Sequence, residues 1–148
     1  MSPIKLWSYL LTGIVPLSFG LLFLASGVSK CLRTTSVLHI VANYRLLPAP
    51  AGRVFAYLLG PLEALSGSLF LASLFLPVYP YAWAAAVGLL LLFSFAVGSA
   101  LIRRLQIPCG CALMLNGHAI RPSSLLRNLL LLLVLAIDLF VKLHNSAA

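Results

Sequence analysis

Residues 82–102 read AWAAAVGLLLLFSFAVGSALI, a stretch without a single Asp, Glu, Lys or Arg that is followed directly by Arg103-Arg104. A helix needs about 20 mainly apolar residues to cross the hydrocarbon core of a bilayer. The stretch therefore predicts a membrane-spanning helix, and the two arginines mark the point where that helix meets water.

Three other stretches have the same character, so the sequence predicts four spans, at about 10–29, 54–76, 82–102 and 124–141. The chain of 148 residues is 62% hydrophobic and 8% charged, whereas a soluble domain is about half apolar and roughly a quarter charged. A small soluble core cannot hide that excess. The predicted fold class is an all-α membrane protein, a four-helix transmembrane bundle forming one membrane domain over residues 1–148. The first span is longer than the 7–15 residues typical of a signal-peptide core, so we expect it to be retained.

Residues 32–53, between the first two spans, mix apolar and polar side chains. Their apolar members recur at helical spacing, which predicts a short amphipathic helix at the membrane interface that Pro48 and Pro50 end. Within the spans, small residues recur four positions apart in Gly60–Ala64, Ala64–Ser68 and Ser94–Gly98. Small residues at this spacing let helices approach closely in lipid.

The net charge of +8 is concentrated on one side of the predicted bundle. Nucleic-acid binding would need a soluble basic surface, but here the basic residues stand at the ends of apolar runs. One face holds eight of them: Lys30, Arg33, Arg45, Arg53, Arg103, Arg104, Arg121 and Arg127. The other face holds Lys5 and Lys142. Because cytoplasmic loops carry the Lys and Arg excess, we expect a multi-pass protein of the cell (inner) membrane with both termini extracytoplasmic.

The three cysteines, Cys31, Cys109 and Cys111, all fall on the face with the basic excess. Gly110 allows the positive φ of a tight turn, which would bring the Cys109 and Cys111 sulfurs together. A disulfide closed over so few residues is strained and labile, and the nearby arginines favour thiolate over thiol. The pattern favours a redox-active pair at Cys109 and Cys111.

Two other interpretations of the cysteines stay open at this point. In the first, Cys109 and Cys111 are passive loop residues. In the second, they bind a metal together with Cys31 and either His39 or His118. Zinc sites favour two cysteines separated by two to four residues, which the Cys109-Gly110-Cys111 spacing does not match. We therefore assign no metal ligand.

Several polar residues lie within or at the ends of the spans. Glu63 is in the middle of the second span, where an ionisable group is costly and usually faces the bundle. Either it has a functional role or it is the structural partner of a base such as Lys30 or Arg45. Asp138 and Lys142 have the i,i+4 spacing of an ordinary helical ion pair. Arg127 and Asn128 open the fourth span, where they either bind a polar group or anchor the helix.

These motifs, in this order and spacing, resemble the methylamine utilisation MauE family, which is related to the broader DoxX-like four-helix membrane proteins. The resemblance rests on Gly27-Val28-Ser29-Lys30, Tyr44-Arg45-Leu46-Leu47-Pro48, Glu63, Cys109-Gly110-Cys111 and Leu126-Arg127-Asn128-Leu129. It implies a thiol–disulfide redox protein, or an accessory subunit of one, that assists disulfide formation or maturation of a partner protein. It also implies that Cys109 and Cys111 are the catalytic pair, with Lys30, Glu63 and Arg127 as the polar positions of the motif. We predict Asn128, next to Arg127, as a further supporting polar residue.

The electron path of such a protein needs an acceptor for the electrons of the thiol pair. Four-helix membrane oxidants that pass electrons to quinone generally have two cysteine pairs, and this chain has one pair plus Cys31 as a third thiol. A complete relay would need a partner thiol or a quinone directly at the pair. The charge count places the pair on the cytoplasmic side, whereas oxidation of an exported partner needs an outside thiol. The alternative function is a non-catalytic assembly or scaffold subunit with passive or metal-binding cysteines.

Overall fold

Five helices make up the part of the chain that the computed structural model describes, residues 3–105 and 122–147, in which there is no strand. They are α1 (Pro3–Leu32), α2 (Thr34–Tyr44), α3 (Ala49–Ala72), α4 (Tyr79–Ile102) and α5 (Pro122–Ala147). All but α2 contain a segment long and apolar enough to cross a bilayer, and many of their leucine and phenylalanine side chains face outward. The predicted class, four spans with a short helix between the first two, is confirmed. The chain is an integral membrane protein in contact with lipid.

The connection between the first two spans differs from the prediction in where its helices end. Helix α2 ends at Tyr44 because Arg45 adopts a left-handed conformation, φ 50° and ψ 36°, and its N–H bonds to the Ala42 carbonyl. Pro48 is extended and precedes α3, while Pro50 occupies the first helical turn. That position suits proline because the first turn leaves its N–H groups without helical partners. The prolines therefore start α3 at Ala49 rather than end α2.

Helix α2 turns its apolar stripe toward the bundle. Val37, Ile40 and Tyr44 are buried, as expected for one face of a helix with this spacing. Val37 packs in one cluster with α3 residues, and the other two pack in a second cluster with Val97 and Ala100 of α4. The helix thus covers one end of the bundle, where α1 and α4 end and α3 and α5 begin. We call this end the α2 face.

Helices α1 and α3 run antiparallel with their backbones nearly in contact. A Cβ atom on Gly27 would overlap the backbone nitrogen of Ala64, and one on Gly67 would overlap the backbone nitrogen of Leu24. The predicted close approach at Gly60–Ala64 is therefore confirmed. The prediction for Ser94–Gly98 is wrong, because within the described ranges nothing lies within 4 Å of a Cβ built on Gly98.

Aromatic residues and hydrogen bonds hold the opposite end of the bundle, where α3 and α5 end and α4 begins. The Phe70 ring lies 5.8 Å from that of Phe19 and 6.2 Å from that of Tyr79, centroid to centroid. On the same side, Trp83 Nε1 donates to the Leu135 carbonyl at 3.1 Å. These contacts tie α4 to α5 and to the α1–α3 pair.

Candidate functional site

Three polar side chains form a closed hydrogen-bond triangle between α1 and α3. Lys30 Nζ is ion-paired with Glu63 Oε1 and donates to Ser26 Oγ at 3.1 Å. Ser26 Oγ in turn donates to Glu63 Oε2 at 2.6 Å. All three residues are buried, with Glu63 only 1% exposed. We refer to Ser26, Lys30 and Glu63 as the polar triad.

The helix geometry explains why these side chains meet. Ser26 and Lys30 are four residues apart and so lie on the same face of α1. Gly27 lies between them in sequence and brings the α3 backbone into contact at Ala64, next to Glu63. Because the backbones are so close, the short Ser26 side chain reaches the Glu63 carboxylate directly. The close helix approach and the triad are parts of one interface.

Lys30, and not Arg45, is the base that pairs with Glu63. Both charges are out of water, with side-chain exposures of 3% for Lys30 and 1% for Glu63, whereas Arg45 is exposed. Removing one partner of a buried pair typically costs about 3–5 kcal/mol because an uncompensated charge remains. Lys30 is therefore the structural partner of Glu63. A functional role of the pair beyond this contact stays a prediction.

A cavity of about 400 Å³ adjoins the triad on the α2 face. Its walls come from α2, the 46–47 connection, α3 and α4, with Lys30 of α1, and they are apolar or aromatic except for Lys30. The Lys30 ammonium lies 5.0 Å from the centroid of the Phe93 ring, which belongs to the α4 wall. The triad thus presents one cationic group to an otherwise apolar cavity. Neither the cavity nor Ser26 was foreseen from the sequence.

Arg127 and Asn128 both lie in the first turns of α5, but they face different ways. Arg127 is exposed, while Asn128 is 2% exposed. The Asn128 Nδ2 group is buried and has no hydrogen-bond partner within the described ranges. Both residues lie outside the triad, so the structure joins only Lys30 and Glu63 among the polar residues predicted for the site.

The three cysteines are placed only in part. Cys31 has a free, exposed thiol on the side of α1 that meets Gly60 of α3. Cys109 and Cys111 lie outside the described residues, and the predicted pair stays a prediction. The chain on either side of the segment between α4 and α5 is placed: Leu105, shortly after α4, and Leu125, in the first turn of α5, both pack against the cluster that contains Ile40 and Tyr44 of α2. The chain therefore enters and leaves that segment at the α2 face.

The metal-site alternative rests partly on residues that are not described. His118 lies outside the described ranges, as does Arg121, and His39 is exposed on α2. In the described part of the chain, no group of three His, Cys, Asp or Glu side chains is arranged to hold a metal ion.

A second polar cluster lies at the opposite end of the bundle. Lys142 Nζ is 3.2 Å from Asp138 Oδ2, which confirms the predicted i,i+4 pair. The Tyr79 hydroxyl also donates to Asp138, and the Lys142 ammonium lies 3.1 Å from the Tyr79 ring centroid. This cluster joins the end of α5 to the start of α4.

Comparison with known proteins places the chain in a family. No solved structure matches it. Residues 8–141 match the family described as Methylamine utilisation protein MauE. The chain is also 34% identical over 135 residues to the Methylamine utilization protein MauE of Paracoccus denitrificans. That alignment covers 88% of this chain and 66% of the relative, so the chain spans about two thirds of the relative's length. The chain belongs to the MauE family of methylamine utilisation proteins.

Proposed function

We propose that this chain is a membrane thiol–disulfide redox protein, or the accessory subunit of one, that assists disulfide formation or maturation of a partner protein in methylamine utilisation. The observation that carries the proposal is the buried Lys30–Glu63 pair at the α2 face. Ionisable groups inside a membrane bundle are costly and mark functional positions by default. Leu105 and Leu125, which flank the part of the chain that contains Cys109 and Cys111, pack at that same face.

The chemistry requires a thiol pair that oxidises and is reduced again. Oxidation of Cys109 and Cys111 to a disulfide releases two electrons and two protons, which pass to an acceptor. Transfer of that disulfide to a partner dithiol returns the pair to its reduced form. Exposed Arg103 and Arg104 stand at the end of α4, and positive charge near a thiol favours the reactive thiolate.

The pair is tested by trapping its thiols in membranes with a mass-tagged maleimide. In a Cys31→Ser background the only remaining thiols are Cys109 and Cys111. We expect both to resist the reagent after treatment with oxidant and both to react after mild reduction. Cys109→Ser, with the same background change, should leave one thiol that reacts under either condition.

The opposite outcome identifies the alternative function. If both thiols react after oxidant treatment, or if they are held by a stoichiometric metal, the redox proposal fails. A scaffold or assembly subunit with passive or metal-binding cysteines then takes its place.

The orientation of the chain is part of the proposal. Of the eight basic residues assigned to the α2 face, Lys30 is buried in the triad and therefore does not act as a loop charge. Six others are exposed: Arg33, Arg45, Arg53, Arg103, Arg104 and Arg127. The positive-inside tendency therefore still favours a cytoplasmic α2 face and extracytoplasmic termini. A C-terminal reporter that is active only in the cytoplasm should give no signal, and a strong signal would reverse this orientation.

A further inference from the structure

The cavity beside Lys30 has the features of a site for a small molecule. Its volume, about 400 Å³, falls in the range of about 300–1,000 Å³ typical of ligand pockets. Such pockets are mainly apolar and aromatic, with a few polar groups that orient the ligand. Here Phe55, Phe93 and Tyr44 supply aromatic rings, and Lys30 supplies the charged polar group.

The Lys30 ammonium has a hydrogen-bond donor left for a ligand. An ammonium group carries three N–H donors. Within the described residues, Nζ finds two oxygen acceptors, Ser26 Oγ and Glu63 Oε1. Its remaining side faces the Phe93 ring and the cavity. A ligand oxygen in the cavity would therefore meet a buried N–H group.

The charge of Glu63 determines which kind of ligand oxygen can accept a hydrogen bond from Lys30. Because the carboxylate is paired with the same ammonium, the two side chains together are neutral. A carboxylate or phosphate head group would add a net negative charge beside this neutral pair, and burying an uncompensated charge away from water is costly. A neutral carbonyl oxygen accepts the hydrogen bond without that cost. The Phe55 and Phe93 rings favour a flat ring as the group that carries the carbonyl.

The mouth of the cavity opens toward lipid. Leu46, Leu47, Leu92 and Phe95 belong to its lining and are exposed, Phe95 by 69%. Leu92 and Phe95 lie on a membrane-spanning helix, so the exposed side of the cavity meets the bilayer. A ligand with a long apolar tail can leave that tail among the lipid chains.

From these observations, we propose that the cavity binds a lipid-soluble isoprenoid quinone, with one ring carbonyl accepting a hydrogen bond from Lys30. The binding site stands independently of the thiol chemistry. Its use as an electron acceptor rests on the proposed function. In that step two thiols give two electrons and two protons to the quinone, forming one disulfide and one quinol.

The proposal is tested by calorimetric titration of the full chain in phosphatidylcholine nanodiscs with decylubiquinone. Ala96→Phe places a ring in the cavity, while Ala136→Phe, on an exposed position of α5, is the matched control. We expect saturable binding at one site, weakened on the order of tenfold or more by Ala96→Phe and unchanged by Ala136→Phe. Absent binding, or equal binding by the two variants, overturns the proposal.

A second variant tests the hydrogen bond. Lys30→Met combined with Glu63→Leu removes the donor without leaving a buried charge. Losing a hydrogen bond to a charged group raises a dissociation constant by about tenfold or more. We therefore expect on the order of tenfold weaker binding of decylubiquinone, with the helix content of the protein unchanged. Unweakened binding by the double variant contradicts the proposal. Displacement of decylubiquinone by an equal concentration of oleate also contradicts it, because the site would then be one for acidic lipids.

The quinone inference and the proposed function can fail separately. Cys109→Ser combined with Cys111→Ser should bind decylubiquinone as the wild type does. If quinone binds but the wild-type cysteines never cycle, the proposed redox function fails and the quinone site stands. If the cysteines cycle but no quinone binds, the quinone inference fails alone.

Discussion

The two ends of the bundle each hold a buried acid beside a lysine, but the two pairs are built differently. At the opposite end, Asp138 and Lys142 are one turn apart on α5, and the Lys142 side chain keeps 21% exposure. At the α2 face, Lys30 and Glu63 lie on different helices, 33 residues apart, with both side chains almost fully buried. The first pair is a local contact at a helix end. The second exists only because α1 and α3 pack closely.

This difference predicts different energetic roles. Asp138 is buried, but Lys142 keeps partial exposure, so breaking this pair leaves a cation that water can reach, and exposed i,i+4 pairs contribute only about 0.3–0.5 kcal/mol. A fully buried pair gives little net stability relative to apolar residues, yet losing one partner is strongly destabilising. A protein that needs only stability can use apolar residues at such a position. The triad, which lies next to a cavity, is therefore the better candidate for function.

The largest expected effect comes from breaking the triad at one partner. Glu63→Leu leaves the Lys30 ammonium buried without its counter-charge, which should destabilise the bundle by about 3–5 kcal/mol. The measurement is thermal unfolding in detergent, followed by circular dichroism. Adding Lys30→Met to Glu63→Leu should restore most of the lost stability. If the single variant is as stable as the wild type, Lys30 and Glu63 do not form a buried ion pair.

The second-largest loss of stability is expected from pushing apart α1 and α3, the helices that carry the triad. Gly27→Ala adds a Cβ that overlaps the Ala64 backbone nitrogen, and overpacking typically costs about 1–3 kcal/mol. Gly98→Ala is the matched control, since its Cβ would meet nothing within 4 Å in the described part of the chain. Alanine is the better helix former by about 1 kcal/mol, so this control should be neutral or stabilising. Equal melting temperatures for the two variants would contradict the close α1–α3 contact.

The smallest effect is expected at the opposite end of the bundle. Asp138→Asn keeps an oxygen acceptor for the Tyr79 hydroxyl, and Lys142 keeps its position over the Tyr79 ring and its access to water. The loss should be about 1 kcal/mol or less, measured by the same unfolding assay. A loss as large as that of Glu63→Leu would remove the distinction between the two ends.

The features that hydropathy and local spacing determine could be predicted from the sequence. The four spans follow from apolar run length, Glu63 is conspicuous because it is a charge in such a run, and the Asp138–Lys142 pair follows from helical spacing. The choice of Lys30 over Arg45 could not be predicted, because it depends on how the helices rotate against each other. Ser26 gave no signal beyond its position four residues before Lys30.

Two other features depend on tertiary structure in the same way. The end of α2 is set by a left-handed arginine, Arg45, and non-glycine residues adopt that conformation only uncommonly. The cavity exists because α2, α3 and α4 leave space between them, which no pattern along one helix reveals. The sequence therefore predicted that the charge of Glu63 is buried, but it did not predict the cavity beside its partner Lys30.

The proposed function makes the α2 face the redox-active end of the bundle. It is tested most directly by the rate at which reduced Cys109 and Cys111 reoxidise in membranes, followed by maleimide trapping in a Cys31→Ser background. We predict a reversible disulfide whose reoxidation is slowed by Lys30→Met with Glu63→Leu and is unaffected by Asp138→Asn. Cysteines that stay reduced, or a double variant that reoxidises as fast as Asp138→Asn, would contradict the account.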